Sequence, residues 1–395
     1  MNYLLFDCPD TWQDLLPLTY TRPMAELRVG ILTIREKWNH FLNTETSYLT
    51  KDYLQEKFPQ KIANDNIFVN SSILPNAKLV SEINKVGKES ILLSGDKLVA
   101  CRSAKDITGF LATKDFSHFT AAQIDADFSQ IAYPWDIFSL NGEEIKNDFL
   151  RITAHKKSQP VSSSNNLINR ENIFVAPGVQ MEYATLNAQD GFIYLGENAT
   201  VMEGTMVRGA LAMLEHSQLK MGAKIYGPTT IGPHSKVGGE NNNVVMIGYS
   251  NKAHDGFLGN AVIGEWCNLG ADTNNSNLKN NYAEVKVWNY RQERFIKTGL
   301  QFCGLIMGDH SKCAINTSFN TGTVVGVSAN IFGAGFPRNF IPSFSWGGPQ
   351  GMVEYNFNKA MAVAQIVMKR RHIDLSEIDI SLLKKVFEIT KPYRK

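Results

Sequence analysis

Leu195-Gly196-Glu197-Asn198-Ala199-Thr200, Val201-Met202-Glu203-Gly204-Thr205-Met206 and Val207-Arg208-Gly209-Ala210 open a run that repeats every six residues. The same frame returns as Ile225-Tyr226-Gly227-Pro228-Thr229-Thr230, Ile231-Gly232-Pro233-His234-Ser235-Lys236 and Val237-Gly238-Gly239-Glu240. After a slip it resumes at Phe257, Ile263 and Leu269, breaks over residues 275–301, and returns at Met307, Cys313, Phe319 and Val325. An aliphatic residue at each sixth position, often followed by Gly, with a small residue four places on, fits one short strand and one corner per hexad. The aliphatics would point inward and stack along an axis, while Gly or Asn would supply the unusual backbone angles at the corners. Sandwich strands would alternate in twos with irregular turns. The repeat therefore predicts a left-handed parallel β-helix with three hexads to a coil.

Outward from the repeat, the character of the chain changes. Residues 155–171 are polar, rich in Ser and Asn and contain Pro160, which suits an exposed linker. Before them, Tyr3–Phe6, Ile67–Val69 and Leu98–Cys101 read as strands, and Gly30–Leu42 has helical spacing. From Val353 onward, Phe357, Ala360, Met361, Ala364 and Met368 share one helical face, Lys369-Arg370-Arg371 closes that helix as a solvated basic end, and a second helix is expected near Leu382–Ile389. The expected organisation is an α/β domain at 1–154, a linker at 155–171, a β-helix at 172–352 and a helical tail at 353–395.

Composition narrows the function classes. The 395 residues are 43% hydrophobic and 20% charged, with a formal net charge of +2, so no global field recruits nucleic acid or a membrane surface. No uncharged apolar run reaches the ~18 residues of a membrane span, and Met1–Asp7 lacks the basic start of a secretory signal. Five scattered cysteines form no C-x-x-C pair and suit a reducing, cytoplasmic setting. His234, His254 and His310 raise the question of a metal-binding β-helix. They contain no closely spaced imidazole pair, so no metal site is assigned.

The stretch Ser250-Asn251-Lys252-Ala253-His254-Asp255-Gly256-Phe257-Leu258-Gly259-Asn260-Ala261-Val262-Ile263-Gly264, followed by Asn268-Leu269-Gly270-Ala271-Asp272-Thr273, resembles the acetyltransferase half of the bifunctional glucosamine-1-phosphate acetyltransferase/N-acetylglucosamine-1-phosphate uridylyltransferase family. That family reads K-A-G-H-L-x-Y-L-G-D-A-x-I-G-x-x-x-N-x-G-A-G-T and then N-Y-D-G. The resemblance implies that His254 is the general base toward a sugar amine attacking the thioester of acetyl-CoA. An imidazole suits that task because it exchanges a proton near neutral pH. It further implies substrate contacts from Arg208, Lys252, Phe257, Asn268 and Asn277, coenzyme contacts from Ala271 and Lys286, and a homotrimer with active sites between neighbouring subunits. Phe257 stands where the family has tyrosine, and Asn277-Leu278-Lys279-Asn280 keeps only the first residue of N-Y-D-G.

In the N-terminal half, Pro17-Leu18-Thr19-Tyr20-Thr21-Arg22-Pro23 resembles the opening of sugar-1-phosphate nucleotidyltransferases. The family's glycine-rich phosphate loop is replaced by Cys8-Pro9-Asp10-Thr11-Trp12-Gln13-Asp14, and Met24 takes the place of its lysine. Arg22 and Arg28 are the candidate nucleotide contacts, with UTP or dTTP as the nucleotide and Mg2+ as the ion if this half is active. The expected function is acetyl transfer to an amino-sugar 1-phosphate, coupled to nucleotidyl transfer. Three alternatives stand beside it: an acetyltransferase with an inactive N-domain, a nucleotidyltransferase whose β-helix only oligomerises, and a non-catalytic scaffold.

Overall fold

A computed structural model describes residues 1–124 and 126–394. The chain divides into two compact units, one of Met1–Leu27 with Leu32–Asp136 and one of Arg28–Ile31 with Ile137–Lys395.

The first unit is built on a six-stranded mixed sheet of β1 (Asn2–Phe6), β2 (Ser47–Leu49), β3 (Asn66–Asn70), β4 (Ser90–Ser94), β5 (Lys97–Ser103) and β6 (Thr120–Gln123), in the order β2-β1-β3-β5-β4-β6. β1 runs parallel to β2 and β3, β5 is antiparallel to β3 and β4, and β4 runs parallel to β6. Leu4, Phe6, Leu49, Phe68, Ile91 and Cys101 project from these strands into one buried cluster. Gly95 and Asp96 make the hairpin turn between β4 and β5, with Gly95 at φ +59°. The helix expected from Gly30 begins instead at Ile34 and runs to Leu42. Thr33 caps it, because its hydroxyl accepts from the Glu36 N–H while the Glu36 carboxylate accepts from the Thr33 N–H.

The second unit is a parallel β-solenoid whose interior is three columns of stacked side chains. One column runs Leu195, Met213, Ile231, Met246, Ile263, Met307, Val325, Ile341, each residue paired with the next in register. A second runs Val201, Leu219, Val237, Lys252 and continues through Leu269, Cys313 and Ile331. A third carries Leu186, Val207, Ile225, Asn241 and Leu258. The side chains that close the columns are buried, most of them completely, which is why the sixfold aliphatic pattern decides this fold.

At one corner the structure departs from the expectation of Gly or Asn. His216, His234, Tyr249, Trp266 and His310 all adopt φ between +52° and +60°. Their rings stack coil upon coil, with centroid separations of 4.8, 5.0, 4.3 and 6.4 Å. A non-Gly residue in this left-handed region costs about 1–3 kcal/mol, and a stacked ring pair returns about 0.5–1.5 kcal/mol beyond its burial.

The stretch expected as a linker supplies the strand Asn166–Ile168, which pairs with Thr185–Asn187. The helix Pro134–Thr153 belongs mostly to the solenoid unit. Its Ile145 and Phe149 pack with Ile31, Phe174, Ala210, Ala212 and Leu214, so the unit reaches N-terminal to the expected boundary at 154. Gly30 fits here only as glycine. It sits at φ +79°, where a Cβ would lie 2.6 Å from Asp148 Oδ2 and 2.7 Å from the Glu144 carbonyl oxygen. The break at 275–301 contains an antiparallel hairpin, Lys286–Asn289 with Arg294–Lys297. Val353 and Glu354 are the end of a short strand rather than helix, and the tail helices are Phe357–Lys369 and Glu377–Ile389.

Replacing Ile263 by Ala removes three carbons from the centre of a fully buried column. A loss of about 2–5 kcal/mol is expected in urea unfolding followed by circular dichroism. A loss below about 0.5 kcal/mol would show that the columns are not the cohesive element.

Candidate functional site

The strands Lys236–Val237, Asn251–Lys252, Asn268–Leu269 and Lys312–Cys313 lie side by side on one solenoid face. Their inward residues fill the second column, so Lys236, Asn251, Asn268 and Lys312 project outward in a row. The helix Phe357–Lys369 lies over this row. Between helix and sheet is a cavity of about 810 Å³ lined by Tyr249, Asn251, Ala253, His254, Trp266, Asn268, Gly270, Ala271, Ile315, Val363 and Val367, together with Lys236, Lys312, Arg370 and Arg371.

His254 stands on the turn between the strands Asn251–Lys252 and Phe257–Glu265 and is exposed. The turn has little freedom. Gly256 sits at φ +113°, and a Cβ there would come within 2.2 Å of the Thr273 carbonyl oxygen. The Asp255 carbonyl accepts from the Asp272 N–H at 3.0 Å, tying the turn to the next coil. In the cavity wall, Asn251 Oδ1 is buried with no hydrogen-bond partner, an acceptor still open for a ligand N–H.

The cavity is also strongly cationic. Burial pushes the Lys312 ammonium down to about 8, and its Nζ donates to the His310 carbonyl at 2.8 Å. Burial, reinforced by Arg371, Lys220 and Arg370, holds Lys236 below the ordinary lysine value. Arg371 donates to the His234 carbonyl at 3.1 Å and is itself lowered by burial and by Arg370. Among the described residues no carboxylate pairs with Lys236, Lys312, Arg370 or Arg371. Unpaired cations gathered beside an apolar wall are an arrangement suited to an anion carried on an apolar chain.

Of the residues singled out in the sequence, His254, Asn268 and Ala271 come together in this cavity. Phe257 and Asn277 meet elsewhere, both within 2.7 Å of where a Gly259 Cβ would lie, and Asn277 Nδ2 donates to Asn260 Oδ1 at 2.8 Å. Arg208 is exposed and paired with Asp190 at 2.8 Å, on a strand of a different face. Lys286 is exposed on the inserted hairpin. Lys252 does not reach the cavity: it is fully buried within the second column. Arg22 and Arg28 are both buried, they fall in different compact units, and the Arg28 guanidinium donates to the Ile31 carbonyl.

Lys312 is a cavity residue that the motif does not mark; Arg370, exposed at the helix end as expected, and half-buried Arg371 also line the cavity. Alternation with inward Cys313 already marks Lys312 as outward. The approach of the tail helix to that face is a long-range packing event with no local signature.

Among the described residues no three His, Cys, Asp or Glu side chains converge. In the first unit the buried carboxylate of Asp7 is engaged by the protein, accepting from the Met24 N–H, the Ser71 hydroxyl and the Thr50 hydroxyl. Burial raises it to about 6. Among the described residues there is thus no all-protein metal cage, although Mg2+ in phosphate chemistry is commonly held by one or two carboxylates together with the substrate's own phosphates. Nor is any helix among the described residues long and apolar enough to cross a membrane.

Comparison with known proteins places this geometry in context. Residues 3–157 match the family model of sugar nucleotidyl transferases. The chain is 28% identical over 166 residues to a bifunctional sugar-1-phosphate nucleotidylyltransferase/acetyltransferase of Sulfurisphaera tokodaii, covering 37% of this chain and 41% of that protein. It is 26% identical over 216 residues to the bifunctional protein GlmU of Methanococcus vannielii, covering 54% and 44%. A 73-residue stretch is 38% identical to the GlmU protein of Methanocaldococcus jannaschii, covering 18% and 17%. The matches thus span less than half the length of these curated relatives. Among solved structures, the UDP-N-acetylglucosamine acyltransferase of Francisella novicida matches with 11% identity over 59% of this chain and 76% of that one, at a TM-score of 0.29. The Arabidopsis enzyme of the same name matches with 14% identity over 54% and 80%, at 0.25. The chain is similar to bifunctional nucleotidyltransferase/acetyltransferases.

At pH 8 a lysine titrating near 8 is about half neutral, against well under 1% for an ordinary lysine. Brief treatment with acetic anhydride at pH 8 is expected to acetylate Lys312 ahead of the exposed lysines, read by peptide mass mapping. Equal labelling of Lys312 and Lys359 would show that burial does not depress its ammonium.

Proposed function

We propose that the solenoid unit transfers an acetyl group from acetyl-CoA to the amine of an amino-sugar 1-phosphate, with glucosamine 1-phosphate as the first acceptor to test. The observation that carries this reading is a single cavity in which His254, Asn268 and Ala271 meet an apolar wall and four unpaired cations. His254 takes a proton from the sugar amine as the nitrogen attacks the thioester carbon, the C–S bond breaks, and coenzyme A leaves as the thiol after reprotonation. Asn268 orients the acetyl group. Ile315, Val363 and Val367 pack the pantetheine chain, Asn251 Oδ1 accepts one of its amide N–H groups, and Lys236, Arg370 and Arg371 hold the phosphates. Arg208 and Phe257, on another face, remain candidates for the sugar phosphate, with Asn277 beside Phe257.

A homotrimer is the working assembly, supported by exposed Tyr183, Met206, Met221 and Ile315 on the solenoid, which range from 57% to 71% exposed. A second reading applies to the first unit, where the family match over residues 3–157 supports transfer of a nucleotidyl group from UTP or dTTP to a sugar 1-phosphate. The reaction products belong to cytoplasmic sugar-nucleotide synthesis.

His254→Ala is expected to lower kcat for acetyl transfer by about 10²–10⁴-fold with little change in KM for acetyl-CoA. Full activity in this variant would remove His254 from the chemistry. Arg370→Glu/Arg371→Glu is expected to do the opposite, raising KM for acetyl-CoA at least about tenfold. Pyrophosphate release measured with UTP, dTTP and GTP decides the second reading, and silence with all three sets it aside.

A further inference from the structure

Lys252 occupies a place in the solenoid where every other described coil on that face carries a side chain without charge. Its partner in register is Val237, and because Asn251 pairs with Asn268, the next member of the column is Leu269. The side chain is fully buried. A valine or leucine would fill this position at no electrostatic cost, whereas an ammonium withdrawn from water needs partners. It has two. Nζ donates to the His254 carbonyl at 2.6 Å and to the Asp255 carbonyl at 2.9 Å. The Asp255 carbonyl also receives the Asp272 N–H, so one oxygen joins the coil interior, the turn and the next coil. Both accepting carbonyls belong to the turn that presents the His254 imidazole to the cavity.

We propose that Lys252 is a positioning residue, holding from inside the solenoid the backbone on which His254 is displayed. This rests on the reading of the cavity as an acetyl-transfer site. By fixing the two peptide planes that follow the His254 and Asp255 α-carbons, the ammonium restricts the direction of the imidazole without touching either substrate. Misplacement of a catalytic group by about 1 Å can cost about 10²-fold in rate. Loss of the tie should therefore appear in kcat rather than in binding.

The test is Lys252→Met in the full chain, since methionine suits an apolar column. Three quantities are followed: thermal unfolding, hydrogen–deuterium exchange of the peptide spanning residues 253–257, and steady-state acetyl transfer from acetyl-CoA to glucosamine 1-phosphate. The expected result is a cooperative unfolding transition at or above the wild-type midpoint, exchange in that peptide at least about tenfold faster, and kcat lower by about 10–100-fold with KM for acetyl-CoA within about twofold. Lys252→Gln keeps an N–H donor on a shorter arm and is expected to recover part of both losses; it serves as the test if the Met variant does not fold. Wild-type exchange and wild-type kcat in a folded variant overturn the proposal. Faster exchange with unchanged kcat reduces Lys252 to a structural tie and also overturns it. If the wild-type protein transfers acetyl to no amine, the functional reading fails instead, and the exchange measurement still decides whether Lys252 holds the turn.

Discussion

The stacking of inward side chains along the solenoid is the constraint on which the second unit depends. Each coil contributes residues such as Met246 and Ile263 that touch the residue above and the residue below in strict register. A slip of one residue would turn every inward side chain outward. That requirement fixes which residues face out, and so it also fixes the row Lys236, Asn251, Asn268 and Lys312 that becomes one wall of the cavity.

The electrostatics of the cavity follow from the same arrangement. Lys236 and Lys312 sit on the same rigid face, with the strands of Asn251 and Asn268 between theirs, and a helix carrying Arg370 and Arg371 past its end lies over them. The helix is held down through its buried Ala360, Met361, Ala364 and Met368, which keeps the backbone of Arg370 and Arg371 beside the face. Charge of one sign is thus concentrated where solvent is partly excluded, which is the condition under which it matters most to a ligand.

Much of this was legible in the amino-acid sequence. The hexads carry the solenoid because burial alone sets their period, and three residues of the stretch around His254 line one cavity. The role of Lys252 was hidden by arithmetic: the step from Val237 to Lys252 is not a multiple of six, so the lysine falls outside the hexad frame although its side chain falls inside the column. The early start given to the helix after Gly30 overlooked Thr33 and Glu36, whose reciprocal hydrogen bonds set its first turn. That Arg370 and Arg371, still open to solvent, also border the cavity is not legible locally, because nothing in the segment records that their helix is laid against the sheet. The ring-bearing corner defied the Gly and Asn rule for a different reason, since stacking between coils is invisible to any single hexad.

That corner has a consequence for how such a molecule can change. Trp266 and His310 stay stacked although the whole excursion through the hairpin Lys286–Lys297 separates them in sequence. The ladder therefore behaves like a spine to which vertebrae of unequal length can be attached. A loop of any length that leaves at another corner, as this one does between Asn275 and Ile306, can be accommodated while the coils on either side keep their seats.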